Sequence, residues 1–396
     1  MSDSPPLFLL AAGGTGGHVF PAEALTRELL GRGARVALIT DGRGSRFSDE
    51  LAVPVYRIKA CPLGRNIFSK IFSVLKMGIG TLQAALLLHK LKPIAVVGFG
   101  GYPSVPLLFA AAHMNVPIIL HEQNALLGRA NRILLPFAKT LATSFPHVKN
   151  MPATFKARKV HTGNPVRPDF SAMRQAPYPT LKEDEPLRLL VLGGSLGAHI
   201  FSPVVPKALM LMPQNLRQRF LVTQQCRSGD LEDTRAAFAA AGVETELSPF
   251  FKDIPERMGR AHLVISRSGG GSLSELTAVG RPAILVPFVG GHAQEQTANA
   301  QAVAQAGGAW LIPEEAFTPE ALAVRLEALL AMPTTMAKTA AAARAWGTIT
   351  AADNLADCLY KTVGLPTPKS RIAWADNPDI SGNEFTLALS TRELNE

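Results

Sequence analysis

The chain has 396 residues, 47% of them hydrophobic and 18% charged, which supplies apolar side chain for the cores of two domains and excludes a mainly disordered protein. Lys and Arg number 40 against 31 Asp and Glu, so the net charge of +9 favours an anionic partner; with 7% aromatics and no basic run interleaved with them, nucleic acid is disfavoured relative to a phosphate-rich substrate or an acidic membrane surface. The three scattered cysteines, Cys61, Cys226 and Cys358, exclude a disulfide framework or a Cys-x-x-Cys knuckle and fit a reducing compartment.

The N-terminus MSDSPPLFLLAAGG has no basic residue before its short apolar run, so LFLLAA (7–12) reads as a buried strand and not as a signal peptide. GGTGGH (13–18) follows at once. Glycines there let backbone N–H groups approach an oxyanion, and the next helix, PAEALTRELLGRG (21–33) with Pro21 near its start, offers a positive N-terminus. The loop is neither a Walker A loop nor a clean G-x-G-x-x-G dinucleotide site, and a plain strand–helix turn stays open. His18 reads as a base, a donor to phosphate, or a structural hydrogen bonder. After the strand ARVALIT (34–40) comes NIFSKIFSVLKMGIGTL (66–82), in which Ile67, Ile71, Leu75, Ile79 and Leu82 share a helical face with Phe68 and Phe72, while Lys70 and Lys76 fall beside it. A core-facing helix is the plain expectation; a face dipping into an anionic membrane is the alternative. Residues 93–120 contain no Asp, Glu, Lys or Arg, yet Pro93, Pro103, Pro106, Pro117 and Gly98, Gly100, Gly101 break them into strand, loop, helix and strand. A spanning helix needs roughly 20 uninterrupted apolar residues. HEQN (121–124) then closes the strand VPIIL. His121 has no second ligand at metal spacing; Glu122 reads as a general base or an orienting group, and Asn124 and Asn131 as sugar-hydroxyl ligands.

A Pro-rich, charged segment (166–186) reads as a linker, after which LRLLVLGGSLGAHI (187–200) repeats the opening grammar, its glycine pair 180 residues beyond the first. Ser195 adds a hydroxyl donor to this loop. Further strands are RFLVTQ, AHLVISR and RPAILVPF, and a third glycine loop, RSGGGS (267–272), opens another helix. In that helix Ser272-Leu273-Ser274-Glu275 fits a capping box, while Glu275 equally suits the two hydroxyls of a ribose. Buried strands alternating with helices mean parallel sheets: two Rossmann-like, doubly wound α/β domains facing a cleft, at 1–165 and 187–346, with ligands at the carboxyl ends of the strands. No Asp-x-Asp occurs, so a diphosphate is expected to rest on backbone dipoles and arginine, with no metal and no cofactor. Residues 347–364 form a last helix and 365–396 a polar tail without assigned function.

In this order, GGTGGHVFPA, GFGGYPS, HEQNALLGRANR, GNPVR, GGSLGA, RSGGGSLSEL and PF…EQTANA resemble the MurG family over about residues 7–363. These are the bacterial transferases that add N-acetylglucosamine to undecaprenyl-diphospho-muramoyl-pentapeptide in peptidoglycan synthesis. The resemblance implies an inverting, UDP-N-acetylglucosamine-dependent hexosyltransferase of GT-B arrangement. The lipid acceptor belongs to the N-terminal domain, the nucleotide sugar to the C-terminal one, and the last helix crosses back. It further implies peripheral attachment to the cytoplasmic face of the inner membrane through an apolar, basic-rimmed patch, matched by Ile67, Phe68, Lys70, Ile71, Phe72, Leu75 and Lys76. Position by position, Glu275 matches the ribose ligand and the backbone near Phe250 and Phe251 the uracil reader. Arg267, Ser195 and Gly270 match groups around nucleotide and sugar, Gln296 and Asn299 the donor-sugar ligands, and Arg167 an arginine near the diphosphate. Thr15, Gly16, Gly17 and Asn124 complete the UDP-N-acetylglucosamine set. His18, Tyr102, Glu122, Asn124 and Asn131 match the acceptor side, with His18 the favoured base and Glu122 the second. Glu295 and Gln224-Gln225-Cys226-Arg227 depart from the family's usual residues. An epimerase of the same two-domain plan and a non-catalytic sugar-nucleotide-binding subunit are the competing readings, and the HEQN cluster and the amphipathic face weigh against them.

Overall fold

The computed structural model describes residues 4–13, 16–41, 51–62, 66–153, 155–182, 185–194, 197–290 and 293–370. The apolar runs become strands, and those at Leu7–Ala11, Ala95–Gly98, Ile118–Glu122, Thr140–Thr143, Leu263–Ser266 and Ala283–Leu285 are buried on both faces, as central strands of a parallel sheet sandwiched by helices are. The first sheet holds β1 (Leu7–Ala11), β2 (Arg35–Thr40), β3 (Val55–Arg57), β4 (Ala95–Gly98), β5 (Ile118–Glu122), β6 (Thr140–Thr143) and β7 (Arg158–His161). The second holds β8 (Leu187–Leu192), β9 (Phe220–Gln225), β10 (Glu244–Ser248), β11 (Leu263–Ser266), β12 (Ala283–Leu285) and β13 (Ala309–Leu311). The spatial orders are β3-β2-β1-β4-β5-β6-β7 and β10-β9-β8-β11-β12-β13, so both sheets reverse direction beside their first strand. All of these pairings are parallel, Leu9 for instance standing opposite both Ala37 and Val96.

Side-chain alternation along β1 divides the first core in two. Leu7, Leu9 and Ala11 pack with Leu88, Leu107 and Leu108 on one face. Phe8 and Leu10 pack on the other with Leu355, Ala356, Leu359 and Tyr360 of the helix Ala351–Val363, which returns to this sheet from the far end of the chain. Phe8 and Tyr360 meet edge to face at 5.4 Å. Arg32 bolts the returning helix down. Its Nε donates to Glu28 Oε1 (2.7 Å), Nη1 to Asp357 Oδ1 (2.7 Å), and Nη2 to the carbonyl oxygen and carboxylate of Asp353.

Two helices differ from expectation. The first spans Gly16–Gly31, so Pro21 lies inside it and the glycines form its opening turn. The second spans Ile67–Leu91, started by a reciprocal Asn66–Ser69 capping box and ended by Lys92 in the left-handed region. Among the described residues it is long and apolar enough, by length and composition, to cross a membrane. One side of it is nevertheless docked: Ser73, Ala84 and Leu88 are buried, and a Cβ on Gly80 would sit 1.9 Å from the Lys59 carbonyl oxygen. The core-facing expectation fails for the rest. Phe68 (80% exposed), Phe72 (65%), Ile71, Val74, Leu75, Leu82 and Leu86 face outward, with Lys70 exposed beside them. The side chain of Ile67 lies outside the described residues.

Replacing Arg32 with Leu removes the guanidinium paired with the fully buried Glu28 carboxylate, so the expected loss of stability is about 3–5 kcal/mol by denaturant unfolding; a loss below about 1 kcal/mol contradicts the bolt.

Candidate active site

The loops that leave β1 and β4, and those that leave β8 and β11, flank the two points where strand order reverses, where chains diverge and a crevice opens. The sequence placed its glycine loops there. The helix Gly270–Val279 starts at the second crevice and presses its first turn onto the first domain. A Cβ on Gly270 would lie 2.3 Å from the Gln123 carbonyl oxygen, and one on Gly271 3.8 Å from the Gly17 Cα. Two helix N-termini therefore stand against each other across the seam. Neither first turn contains an acidic residue, and the N-cap of the second, Gly269, has no side chain to cap with. Each N-terminus is equivalent to about half a positive charge, so the potential at the juncture is positive and attracts anions. This helix begins before Ser272, so the capping-box reading of Ser272 and Glu275 falls away.

Glu275 instead meets Arg167, whose Nε and Nη2 both donate to its Oε1 (3.1 and 3.0 Å). The guanidinium is sandwiched near the rings of Phe20 and Phe170, 4.6 and 4.8 Å from their centroids. Burial pushes the Glu275 carboxyl above its ordinary value, and Arg167 opposes that push. The same seam is stitched by Asn299, fully buried, which accepts from the Ala125 N–H (2.7 Å) and donates to Asn124 Oδ1 (2.9 Å) and the Ser268 carbonyl (3.1 Å). Its amide binds protein on three sides in this arrangement.

His18 lies in the first turn of its helix, against the backbone of Gly100 and Gly101, whose φ angles of 83° and 70° suit glycine. A Cβ on Gly101 would lie 3.5 Å from His18 Nε2. A chain of hydrogen bonds runs behind the ring. His18 Nδ1 is 3.2 Å from Gln123 Oε1; Gln123 Nε2 is 3.3 Å from the His121 carbonyl oxygen and 3.1 Å from His121 Nδ1; His121 Nε2 is 3.1 Å from the Gly163 carbonyl oxygen. Carbonyl oxygens only accept, so both ends of the chain fix its protons. His121 carries its proton on Nε2, the Gln123 amide turns its NH2 toward His121, and Oε1 accepts from His18 Nδ1–H. The lone pair of neutral His18 is thereby on Nε2. Burial drives His121 down to about 4, which keeps it neutral.

Glu122 points the other way, as its alternate position along the strand dictates. It is 1% exposed and accepts from the N–H of Asn124 (3.0 Å) and Gly128 (2.9 Å) and from Asn131 Nδ2 (2.8 Å). Burial raises its pKa above the ordinary carboxylate value, these donors oppose the shift, and Glu295 adds a smaller upward push. The arrangement orders the 122–131 loop; it does not present a base to a substrate. Asn131 is buried with it.

The remaining expected residues divide similarly. Tyr102 follows the Gly100–Gly101 wall and donates its hydroxyl to Asp41 Oδ2. Arg267 is buried, donating to Glu314 and to the Val286 carbonyl (3.1 Å), and Glu314 also receives the Val289 N–H. Gln296 Oε1 accepts from the Phe288 N–H (3.0 Å), so Arg267 and Gln296 together shape the 286–290 loop. Phe251 is buried under Arg257 at 4.3 Å while Phe250 is exposed. Thr15 and Ser195 lie outside the described residues. Sequence reasoning assigns Gln123 no role; its parity with His121 beside a strand end is the available signal.

Residues 8–143 match the glycosyltransferase family 28 N-terminal domain and residues 188–356 the glycosyltransferase family 28 C-terminal domain. The UDP-N-acetylglucosamine–N-acetylmuramyl-(pentapeptide) pyrophosphoryl-undecaprenol N-acetylglucosamine transferase of Rhodospirillum centenum is 51% identical over 381 residues, covering 95% of this chain and 100% of that protein. The protein of the same name from Paramagnetospirillum magneticum is 48% identical, with 92% of this chain and 98% of that protein covered. Among solved structures, MurG of Acinetobacter baumannii superposes with a TM-score of 0.74 at 29% identity, over 90% of this chain and 100% of that one. A UDP-GlcNAc 2-epimerase of Neisseria meningitidis, with a TM-score of 0.61 at 14% identity over 90% of this chain and 100% of that one, shares the fold alone.

Because His121 stays neutral when folded down to about pH 4 while an unfolded histidine protonates near 6.5, it binds fewer protons in the native state between those values, and its contribution to stability falls as pH drops through that window. The His121 imidazole resonance is expected not to titrate between about pH 8 and 5; a midpoint near 6.5 contradicts the buried relay.

Proposed function

The chain belongs to the family of UDP-N-acetylglucosamine–N-acetylmuramyl-(pentapeptide) pyrophosphoryl-undecaprenol N-acetylglucosamine transferases, the MurG family, and from that membership we propose how its site divides the work. The chain is a hexosyltransferase that moves N-acetylglucosamine from UDP-N-acetylglucosamine to the lipid-linked muramoyl-pentapeptide, converting lipid I to lipid II in peptidoglycan synthesis.

The 4-hydroxyl of the muramoyl sugar attacks the anomeric carbon from the face opposite UDP, giving inversion in one displacement. His18 Nε2 takes the hydroxyl proton. The departing diphosphate lies at the junction of the two helix N-termini, where backbone amides near Gly16, Gly17 and Gly270 and the Arg167 guanidinium offset its charge. Arg167 occupies only Oε1 of Glu275, so Oε2 is placed to accept a ribose hydroxyl. Asn299, Glu122, Asn131 and Arg267 support the site from behind. The observation that carries this reading is the meeting of two helix starts without carboxylates, with a histidine of defined tautomer in one of them.

The acceptor arrives on a lipid. The outward face of Ile67–Leu91, rimmed by Lys70 and Lys76, supports a peripheral attachment of the N-terminal domain to an anionic bilayer surface, on the cytoplasmic side where the nucleotide sugar is made. A fully buried Phe is worth roughly 1.5–3 kcal/mol and a basic neighbour about 1 kcal/mol.

With radiolabelled UDP-N-acetylglucosamine and a short-chain lipid acceptor, label is expected to move to the lipid, and His18→Ala to lower kcat by about 10²–10⁴-fold at saturating substrates; an unchanged kcat removes His18 as base. Phe68→Ser with Phe72→Ser is expected to weaken co-sedimentation with anionic vesicles at least about ten-fold while leaving the melting temperature unchanged. Undiminished vesicle binding sinks the membrane face.

A further inference from the structure

We infer that Gln123 is a positioning residue for this reaction: its side-chain amide sets the tautomer and ring orientation of His18, and its backbone carbonyl ties that setting to the contact between the two domains. The inference rests on the reading of His18 as the base. Which imidazole nitrogen holds the lone pair is decided by what the other one bonds. Here Gln123 Oε1 takes the Nδ1 proton of His18 at 3.2 Å, and the Gln123 NH2 is held between the His121 carbonyl and Nδ1, so the amide cannot turn over without facing two acceptors with its oxygen. Gln123 is buried, and His121 is itself fixed by the Gly163 carbonyl at 3.1 Å.

An aspartate or glutamate in this place would also hold the Nδ1 proton. It would face the His121 carbonyl with an oxygen, and it would set a buried negative charge beside the helix starts that are to receive a diphosphate. An uncharged amide avoids both. The main-chain oxygen of the same residue touches the second domain: the start of the helix Gly270–Val279 approaches so closely that only glycine fits over it. The strand end that carries the relay is therefore the surface on which the nucleotide-binding domain seats, and His18 is held in register when the seam is closed.

The test is a cycle of His18→Ala, Gln123→Met and the double variant, assayed at saturating substrates. Gln123→Met is expected to lower kcat roughly ten- to hundred-fold, a part of what a general base contributes, with KM for both substrates within about two-fold. The double variant is expected to be no slower than His18→Ala, because a residue that acts through His18 has nothing left to act on. Losses that multiply in the double variant overturn the inference and make Gln123 a packing residue. A Gln123→Met enzyme of full kcat beside a slow His18→Ala overturns it and leaves the base assignment standing; a fast His18→Ala overturns both. Should Gln123→Met fail to fold, the unmutated protein decides: nitrogen-15 spectra of labelled histidine, with the His18 signal identified by its loss in His18→Ala, are expected to show the proton on Nδ1, and a proton on Nε2 in the neutral ring overturns the inference.

Discussion

Two positive helix ends face each other across the junction of the domains, with no carboxylate in either first turn. Left alone, that arrangement is repulsive, each end being worth about half a charge. It persists because other contacts enforce it: Asn299 spans to Ala125 and Asn124, Arg167 to Glu275, and the bare Gly270 slides under the carbonyl of Gln123. Side chains of opposite sign at the helix starts would relieve the repulsion, and the sequence puts glycines there. Such a junction attracts an anionic ligand, and the diphosphate of UDP-N-acetylglucosamine, the nucleotide sugar in the relatives' name, is the one proposed above to fill it.

The rest of the fold serves that junction. Parallel sheets place every loop that matters at one edge, and reversal of strand order opens a crevice in each sheet. The last helix returns to cover one face of the first sheet, and Arg32 fastens it through two aspartates, so the two halves are joined both at the site and behind it. Within the site, the polar residues fall into two groups. His18, Arg167 and Glu275 lie at the seam and are partly exposed, while Glu122, Asn131, Asn299 and Arg267 are buried and hold loops in place. Loss of one of the second group would reduce turnover through geometry, since a buried donor or acceptor left unpaired costs more than its bond contributes.

Much of this was legible in the residues. Apolar runs of strand length, each followed by glycines and a helix, implied two parallel sheets with loops at one edge, because only strands covered on both faces are apolar throughout. The charge-free stretch 93–120 resolves into β4, a short turn, a helix and β5, as its prolines and glycines imply. Three things were not legible. Where the first helix begins was hidden by Pro21, a residue that usually marks a start and here lies inside. Whether the Ile67–Leu91 face turns inward could not follow from periodicity, which gives a stripe but not its neighbour; the small residues Ser73, Gly80 and Ala84 form the docked side instead. The pairing of Arg167 with Glu275 and the relay through Gln123 join residues 108 and 105 positions apart, and only the folded topology brings them together.

The most direct measurement is a structure of the chain with UDP bound. The account predicts the pyrophosphate at the meeting of the Gly16–Gly31 and Gly270–Val279 helix starts, within hydrogen-bond reach of main-chain N–H groups and with Arg167 turned toward it. A pyrophosphate bound away from that junction, or one held through a coordinated cation with the helix starts unengaged, would contradict it.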